Sequence, residues 1–315
     1  MPAQSEIVKS FIQKLNDNKD DSSAVSAIVV LMEFLLKCEA STFMETKHQL
    51  NCKAEELIGY ASNQHLSTAS GCQLFLTFVS DFDKDHLSVD VNDWKNEIIE
   101  RGKTFVENVK SSRQKAVQVG ERFITDGATI LTHGYSRTVK TLLLKAAQKK
   151  KFKVIVTEGR PECLGYRYAE ELSLHEIPVT IILDSAVGRI MERVDFVIVG
   201  AENVTENGGV INKLGTYPLA LTAVAAHKPV YGIVESFKFA RLYPLRQDDL
   251  PPSQDETVNF SSVPPNKNTA TKDLVKFFNP LFDFTPPSYI QLLFTDLGVL
   301  TPSAVSDELI KLCPN

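Results

Sequence analysis

Apolar residues recur every three or four positions through the first third of the chain, the spacing required by one buried face of an α-helix. Four such stripes follow one another: Val25, Ile28, Val29, Met32, Leu35 and Leu36; Phe43, Leu50, Leu57 and Ile58; Leu74, Phe75, Phe78 and Val79; and Trp94, Ile98, Phe105, Val109, Ala116, Val119 and Phe123. The fourth stripe predicts one long helix over 91–124, which Gly102 and Gly120 each weaken by roughly 1 kcal/mol relative to Ala. We therefore expect a helical domain over 1–125, with the stripes as its core.

At Gly127 the pattern changes to short, continuous apolar runs. Five runs follow in order, at 128–132, 154–157, 179–183, 196–199 and 230–234, and helical spacing lies between them at 138–148, 166–174 and 215–226. Runs that are apolar on both faces are typical of parallel strands covered by helices. The predicted fold class is therefore α/β, with the N-terminal helical domain followed by a Rossmann-like, doubly wound parallel sheet over 126–315.

The pattern loosens after Phe237. The segment 244–273 is rich in Pro, Asp, Ser, Thr and Asn, which predicts an exposed, flexible insertion. The aromatic-rich stretch 277–284 is expected to pack back onto the α/β domain. One more strand is predicted over 290–294, and a capped final helix over 303–309.

The bulk composition is that of an ordinary soluble protein, 43% hydrophobic and 23% charged. A net charge of −5 gives no electrostatic reason to expect a nucleic-acid or membrane surface. The N-terminus lacks the basic and apolar regions of a secretory signal, and no apolar run reaches membrane-spanning length. The five cysteines are scattered without metal-ligand spacing. Reduced thiols in a cytoplasmic protein are expected, with neither metal nor cofactor.

Polar side chains follow the ends of the five runs, and ligands bind beyond the carboxyl ends of strands in open α/β sheets. Asn212 and Lys213, after the tight turn at 207–209, are placed at the start of the next helix. Basic side chains and a helix N-terminus at one edge suit a phosphate dianion, and carboxylates can accept sugar hydroxyl groups. We predict a pocket for a sugar phosphate or a nucleoside monophosphate, built from His133, Tyr135, Ser136, Arg137, Arg160, Glu202, Asn212 and Lys213.

Each of these residues also fits a purely structural interpretation. Arg137 and Arg160 could form ion pairs with Glu158 or Asp184. His133 could be a hydrogen-bonded core residue. Neither a G-x-G-x-x-G motif nor a phosphate-binding lysine loop is present, so a dinucleotide or a nucleoside triphosphate has no positive support.

Several strings resemble the family of the alpha, beta and delta subunits of eukaryotic translation initiation factor 2B. They are the segments 126–137, 197–202, 206–216 and 235–239. The tail over 293–309 is most similar to the alpha members of that family. The resemblance covers essentially the whole chain.

The α/β half is also similar to isomerases that act on methylthioribose 1-phosphate and ribose 1,5-bisphosphate. The resemblance implies a cysteine and an aspartate as the acid/base pair of those enzymes. Gly134 stands where the cysteine would be, and Glu202 replaces the aspartate. Because glycine has no proton to give, we expect no catalytic residue here, while Arg160, Asn212 and Lys213 remain to bind phosphate. An aldose–ketose isomerase of sugar phosphates is the alternative function.

The resemblance further implies a regulatory role in translational control and the integrated stress response. The chain would form a homodimer through its α/β domain and join the beta, gamma, delta and epsilon subunits of the guanine-nucleotide exchange factor. Its helical half would bind the phosphorylated alpha subunit of initiation factor 2, coupled to exchange by about 1–3 kcal/mol. Candidate contacts are Ser41, Thr42, Glu45, Phe75, Phe78 and Asp81, of which the two phenylalanines also fit the helical core.

Overall fold

The computed structural model describes residues 5–18, 21–61, 65–84, 91–250 and 280–312, with the backbone alone at 81–84 and 91–92. The N-terminal half contains helices α1 (Glu6–Asp17), α2 (Ser23–Lys37), α3 (Phe43–Ala61), α4 (Ser67–Lys84) and α5 (Val91–Gly120). The stripes predicted for α2 to α5 are confirmed, whereas α1 was not predicted. Its buried face consists of only three residues, Ile7, Val8 and Phe11, too few to stand out in the sequence.

The helical core is built from the predicted stripes. Fully buried members include Ile28, Leu35, Leu50, Leu57 and Trp94. Helix α2 starts at an N-cap, because the Ser22 hydroxyl accepts a hydrogen bond from the Val25 N–H at 3.2 Å.

Helix α5 connects the two halves of the molecule and belongs to both cores. Its first turns place Trp94 and Ile98 in the helical core, and its last turns place Ala116 and Val117 in the core of the α/β half. The helix ends at Gly120, where a Cβ atom would come within 3.2 Å of both Leu142 and Phe294, so glycine permits the close approach of α5 to the sheet layer. The domain boundary at 125 stays a prediction.

The second half alternates strands and helices. In chain order these are β1 (Thr129–Thr132), α6 (Arg137–Ala147), β2 (Lys153–Thr157), α7 (Leu164–Ser173), β3 (Val179–Ile182), α8 (Val187–Ile190), β4 (Phe196–Val199), β5 (Asn203–Thr205), β6 (Val210–Lys213), α9 (Thr216–Ala225), β7 (Val230–Ile233), β8 (Phe239–Ala240), β9 (Phe282–Thr285), β10 (Leu292–Thr295), β11 (Gly298–Leu300) and α10 (Val305–Leu312). Every strand and helix predicted in this half is present within a few residues of its predicted position.

Seven strands form the main sheet in the order β11-β10-β7-β4-β1-β2-β3. All neighbours are parallel except β10 and β11. Strand β1 is flanked on both sides, with Ile130 opposite Val154 of β2 and Phe196 of β4. The predicted Rossmann-like α/β fold is confirmed, with an antiparallel strand added at one edge. The carboxyl ends of the parallel strands form the edge that carries the polar residues.

A second, four-stranded sheet in the order β8-β5-β6-β9 was not predicted. It also corrects the position of Asn212 and Lys213, which end strand β6 and do not begin a helix. The turn between β5 and β6 needs a left-handed residue, and Gly208 supplies it with φ of 83°. Strand β9 then holds α9, because the Asp283 carboxylate accepts hydrogen bonds from the N–H groups of Gly215 and Tyr217 at 2.7 and 3.0 Å.

The predicted insertion over 244–273 is described only as far as residue 250. Within that part, residues 245–249 are exposed, as expected, whereas Pro244 is buried. The remainder, 251–273, lies outside the described residues.

A buried lysine closes the end of helix α2 and gives a first testable prediction. Lys95 of α5 is 7% exposed, and its Nζ donates to the carbonyl oxygens of Cys38 and Ala40 at 2.7 and 3.0 Å. Replacing it with methionine keeps the aliphatic stem but leaves both carbonyls without this donor. We expect Lys95→Met to lower the free energy of unfolding in urea by about 2 kcal/mol. Lys103→Met, on the exposed face of the same helix, is the control and should change it by less than about 0.5 kcal/mol.

Candidate functional site

A polar cavity of about 570 Å³ lies between the helical half and the carboxyl edge of the main sheet. Its wall contains three carboxylates, Asp21, Glu202 and Glu235. Twice as many cationic side chains line it: Arg113, Arg137, Lys140, Arg167, Lys213 and Lys238. This excess of positive charge in a concave site favours an anionic ligand.

Helix α6 points its N-terminus into this cavity. Ser136 is the N-cap, and its hydroxyl accepts a hydrogen bond from the Val139 N–H at 3.2 Å. Arg137 begins the helix and donates to the backbone carbonyl of Asp21, which ties the α1–α2 connection to the site. The first N–H groups of a helix and its dipole favour a negatively charged group, so this is the position best suited to a phosphate.

A buried carboxylate organises the floor of the cavity. Glu235 follows β7, is 1% exposed, and accepts a hydrogen bond from the Thr138 hydroxyl at 2.8 Å. Lys238 Nζ lies 3.1 Å from its Oε2, and Arg113 Nε of α5 lies 3.4 Å from its Oε1. Burial would raise the pKa of Glu235, but the Lys238 and Arg113 charges outweigh it and hold the pKa at about 2. Glu235 thus stays ionised and links α5 to the sheet.

A second cluster forms one rim of the cavity. Glu171 of α7 accepts hydrogen bonds from the Tyr135 hydroxyl at 2.6 Å, from Lys140 Nζ at 2.8 Å and from Arg167 Nε at 2.8 Å. Burial acts to raise the pKa of Glu171, yet these three donors lower it to about 2. The cluster fixes the orientation of Lys140 and Arg167, so both cations are held in place before any ligand arrives.

Lys213 reaches the cavity from the end of β6. Its Nζ pairs with Glu162 at 2.7 Å and lies 4.9 Å from the centre of the Phe282 ring. The neighbouring Asn212 is buried and donates to the Thr216 hydroxyl at 3.1 Å. Gly134, with φ of 69°, lies beside Lys213, because a Cβ on it would be 3.5 Å from the Lys213 Cβ.

Two of the eight predicted pocket residues lie elsewhere. His133 is 2% exposed, its Nε2 lies 2.8 Å from the Leu214 carbonyl and its Nδ1 lies 2.6 Å from the Thr157 hydroxyl. Burial lowers its pKa, so the ring is a neutral core residue, which was the structural interpretation of this histidine. The Arg160 side chain is 61% exposed, pairs with Glu158 at 3.4 Å and lines a much smaller cleft. The other six, Tyr135, Ser136, Arg137, Glu202, Asn212 and Lys213, share the cavity wall.

The helical half supplies a wall that the sequence did not reveal. Asn16 of α1, Tyr60 of α3 and His65 before α4 face the cavity, together with Asp21. Burial lowers the pKa of His65, and the Glu202 carboxylate acts in the opposite direction. Arg113, Lys140, Arg167 and Lys238 were missed as well. Lys140 and Arg167 lie in the opening turns of α6 and α7, so they belong to the first turn of the helix that follows each strand and not to the strand end itself.

The predicted partner-binding residues fall into two groups. Ser41, Thr42 and Glu45 are exposed at the start of α3, where the Thr42 hydroxyl accepts from the Glu45 N–H at 3.2 Å and a Glu45 oxygen accepts from the Ser41 N–H at 3.4 Å. The Thr42 hydroxyl thus caps the helix, and Glu45 also binds the residue that precedes the cap.

Phe75 and Phe78 pack in the helical core, in agreement with the core interpretation of these two residues. Phe75 is fully buried, and Phe78 stacks between it and Phe105 with ring centres 6.1 and 5.0 Å apart. The side chain of Asp81 lies outside the described residues. The exposed members among the described candidates therefore lie at the beginning of α3, and Asp81 stays a prediction.

The chain is similar to known proteins in its sequence and in its fold. The model of the Initiation factor 2 subunit family matches residues 18–302. The chain belongs to this family. It is 41% identical over 310 residues to translation initiation factor eIF2B subunit alpha of Dictyostelium discoideum, covering 97% of this chain and 96% of the relative. The resemblance inferred from the sequence strings is thus confirmed.

A relative named for a different activity also matches. A ribose 1,5-bisphosphate isomerase of Archaeoglobus fulgidus is 33% identical over 219 residues, covering 67% of this chain and 66% of the enzyme. The solved structure of translation initiation factor eIF-2B from Pyrococcus horikoshii superposes with a TM-score of 0.71 at 25% identity, over 95% of this chain and 98% of that one. The likeness in fold therefore extends over both halves of the chain.

In the described ranges, no helix is long and apolar enough to cross a membrane. Over the same residues, no group of three His, Cys, Asp or Glu side chains is placed to hold a metal ion.

Proposed function

We propose that this chain is a non-catalytic regulatory subunit of the cytoplasmic exchange factor for translation initiation factor 2. In this proposal it forms a homodimer, assembles with the beta, gamma, delta and epsilon subunits, and lowers exchange when factor 2 is phosphorylated on its alpha subunit. The observation that carries the proposal is the 41% identity with an eIF2B alpha subunit over 97% of the chain. A likeness of that extent includes both the helical half and the α/β half.

The absence of an acid/base side chain at residue 134 supports a non-catalytic role. Gly134 has φ of 69°, which glycine adopts without strain, and it carries no group that could move a proton between sugar carbons. His133 is buried with both ring nitrogens within hydrogen-bonding distance of other groups. The polar cavity is then a site for binding and not for turnover, with a sugar phosphate or a nucleoside monophosphate as its ligand.

Helix α9 supports the proposed homodimer. Its residues are apolar on nearly every side, which is typical of helices that are buried all round. However, Leu221 and Val224 on its outer face are 36% and 40% exposed. An apolar outer face on the α/β half suits contact with a second copy. The proposal predicts twice the chain mass in solution, and a purified chain that is monomeric at micromolar concentration would contradict it.

The start of α3 is the proposed contact for phosphorylated factor 2. Met44 is 78% exposed between Thr42 and Glu45 and has no role in the helix cap. In the reconstituted exchange factor, we expect Met44→Asp to raise the concentration of phosphorylated factor 2 needed for half-inhibition by about tenfold. Exchange without phosphorylated factor should not change. Ile310→Asp, on the exposed face of α10, is the matched control.

Two results would contradict this account in different ways. If exchange factor assembled without the chain is inhibited equally by phosphorylated factor 2, the regulatory role is wrong. If the chain is required but Met44→Asp behaves as the native protein, the role stands and the contact lies elsewhere.

A further inference from the structure

A second cavity, of about 330 Å³, lies beside the polar one and differs from it in chemistry. Helix α3 contributes Ile58, helix α4 contributes Leu74, and the α/β half contributes Phe237, Phe239 and Leu309. Most of the lining is apolar. Because residues of both halves form it, a molecule bound there would contact both at once.

Few of the described residues that line this apolar cavity are ionisable. Its described lining residues include no aspartate and no glutamate, and the only ionisable ones are His65 and Arg241. Burial lowers the pKa of His65, so its ring is neutral at pH 7. Arg241 lines the cavity and is exposed, so it lies at the cavity entrance. Its guanidinium can contact a negatively charged group there and remain solvated.

The size of the cavity limits the ligand. An engineered apolar protein cavity of about 150 Å³ accommodates benzene, so a volume about twice as large has room for roughly a dozen non-hydrogen atoms. An apolar body of that size with one negative group at its end fits both the lining and the rim.

We propose that this cavity binds a small apolar monoanion, such as a medium-chain carboxylate, with its hydrocarbon in the cavity and its carboxylate at Arg241. The site is separate from the proposed sugar-phosphate pocket and goes beyond the proposed regulatory function. The two cavities share the His65 ring as part of their walls. The apolar site also lies at the junction of the two halves, so a bound molecule would hold them together.

Isothermal titration of the full chain with decanoate tests the proposal. We expect saturable binding of one decanoate per chain. Ala69 of α4 and Ala240 of β8 line the cavity and are partly exposed, so Ala69→Leu and Ala240→Leu place added carbon atoms in it. Each should weaken decanoate binding at least tenfold.

The charge at the rim has its own test. Arg241→Gln should weaken decanoate binding at least fivefold and leave the binding of the uncharged 1-decanol unchanged. Lys149→Gln removes an exposed charge far from the cavity and should change neither. Absence of saturable decanoate binding to the native chain would overturn the proposal, as would unchanged affinity in both leucine variants. If the leucine variants do not fold, Arg241→Gln decides the question. An equal loss of affinity for decanoate and for 1-decanol in that variant would overturn the proposal.

Discussion

Replacing Glu235 with alanine is expected to lower the free energy of unfolding at pH 7 by about 3–5 kcal/mol. This carboxylate is 1% exposed, lies against Lys238 and Arg113, and accepts the Thr138 hydroxyl. Without it, Lys238 and Arg113 both lose this carboxylate in a partly buried site. Because Arg113 belongs to α5, the substitution also removes a link between α5 and the sheet.

Chemical denaturation of the full chain followed by circular dichroism measures this effect. Glu100→Ala is the control, since Glu100 lies on α5 in an exposed pair with Lys103 and should cost less than about 0.5 kcal/mol. Glu235→Gln separates charge from packing and should recover little of the loss. A change below about 1 kcal/mol in both Glu235 variants would show that the ion pairs do not stabilise the fold.

The same network predicts a pH dependence. The pKa of Glu235 is about 2 in the folded chain and near its ordinary 4.5 in the unfolded chain. A depressed folded pKa contributes stability that is fully present above pH 4.5 and is lost as the pH falls toward 2, about 3 kcal/mol in all. The stability difference between native protein and Glu235→Gln should therefore shrink steadily across that window. A difference that stays constant from pH 5 to pH 3 would contradict the assigned pKa.

The order of strands and helices in the α/β half was predictable because its core strands are buried on both faces. Residues 196–199 and 230–234 form continuous apolar runs, whereas a strand with one exposed face would alternate apolar and polar residues. The small sheet was not predictable in the same way. Its strands are two to four residues long, and β6 pairs with β9 across a long sequence separation. Pairing of that kind depends on tertiary contacts and leaves no periodic signal.

The position of the candidate site could be predicted from the sequence, but the full set of residues that line it could not. Ser136 and Arg137 could be placed because they directly follow β1. His65 and Tyr60 could not, because only the packing of α3 and α4 over the sheet edge brings them there. His133 was predicted in the site but lies outside it. Both of its ring nitrogens are within hydrogen-bonding distance of neighbouring core groups, so a polar residue at a strand end need not face a ligand.

Lys213→Met is expected to weaken the binding of ribose 1,5-bisphosphate by at least tenfold, since a charge-assisted hydrogen bond to phosphate is worth about 1.4 kcal/mol or more. Lys213 lies at the wall of the polar cavity, and Glu162 is its present partner at 2.7 Å. A phosphate and the Glu162 carboxylate would compete for the same ammonium group. Glu162→Gln should therefore bind the sugar phosphate as well as the native chain or more tightly.

Calorimetry with the full chain distinguishes the outcomes. Lys149→Met, an exposed lysine paired with Glu121, is the control and should bind normally. Unphosphorylated ribose should not bind, because it lacks the phosphate charge that Lys213 would contact. Equal affinity in the native protein and Lys213→Met would remove this lysine from the site. Rapid conversion of ribose 1,5-bisphosphate to a ketose by the native chain would instead favour the isomerase alternative. In that case a group other than Gly134 would have to transfer the proton.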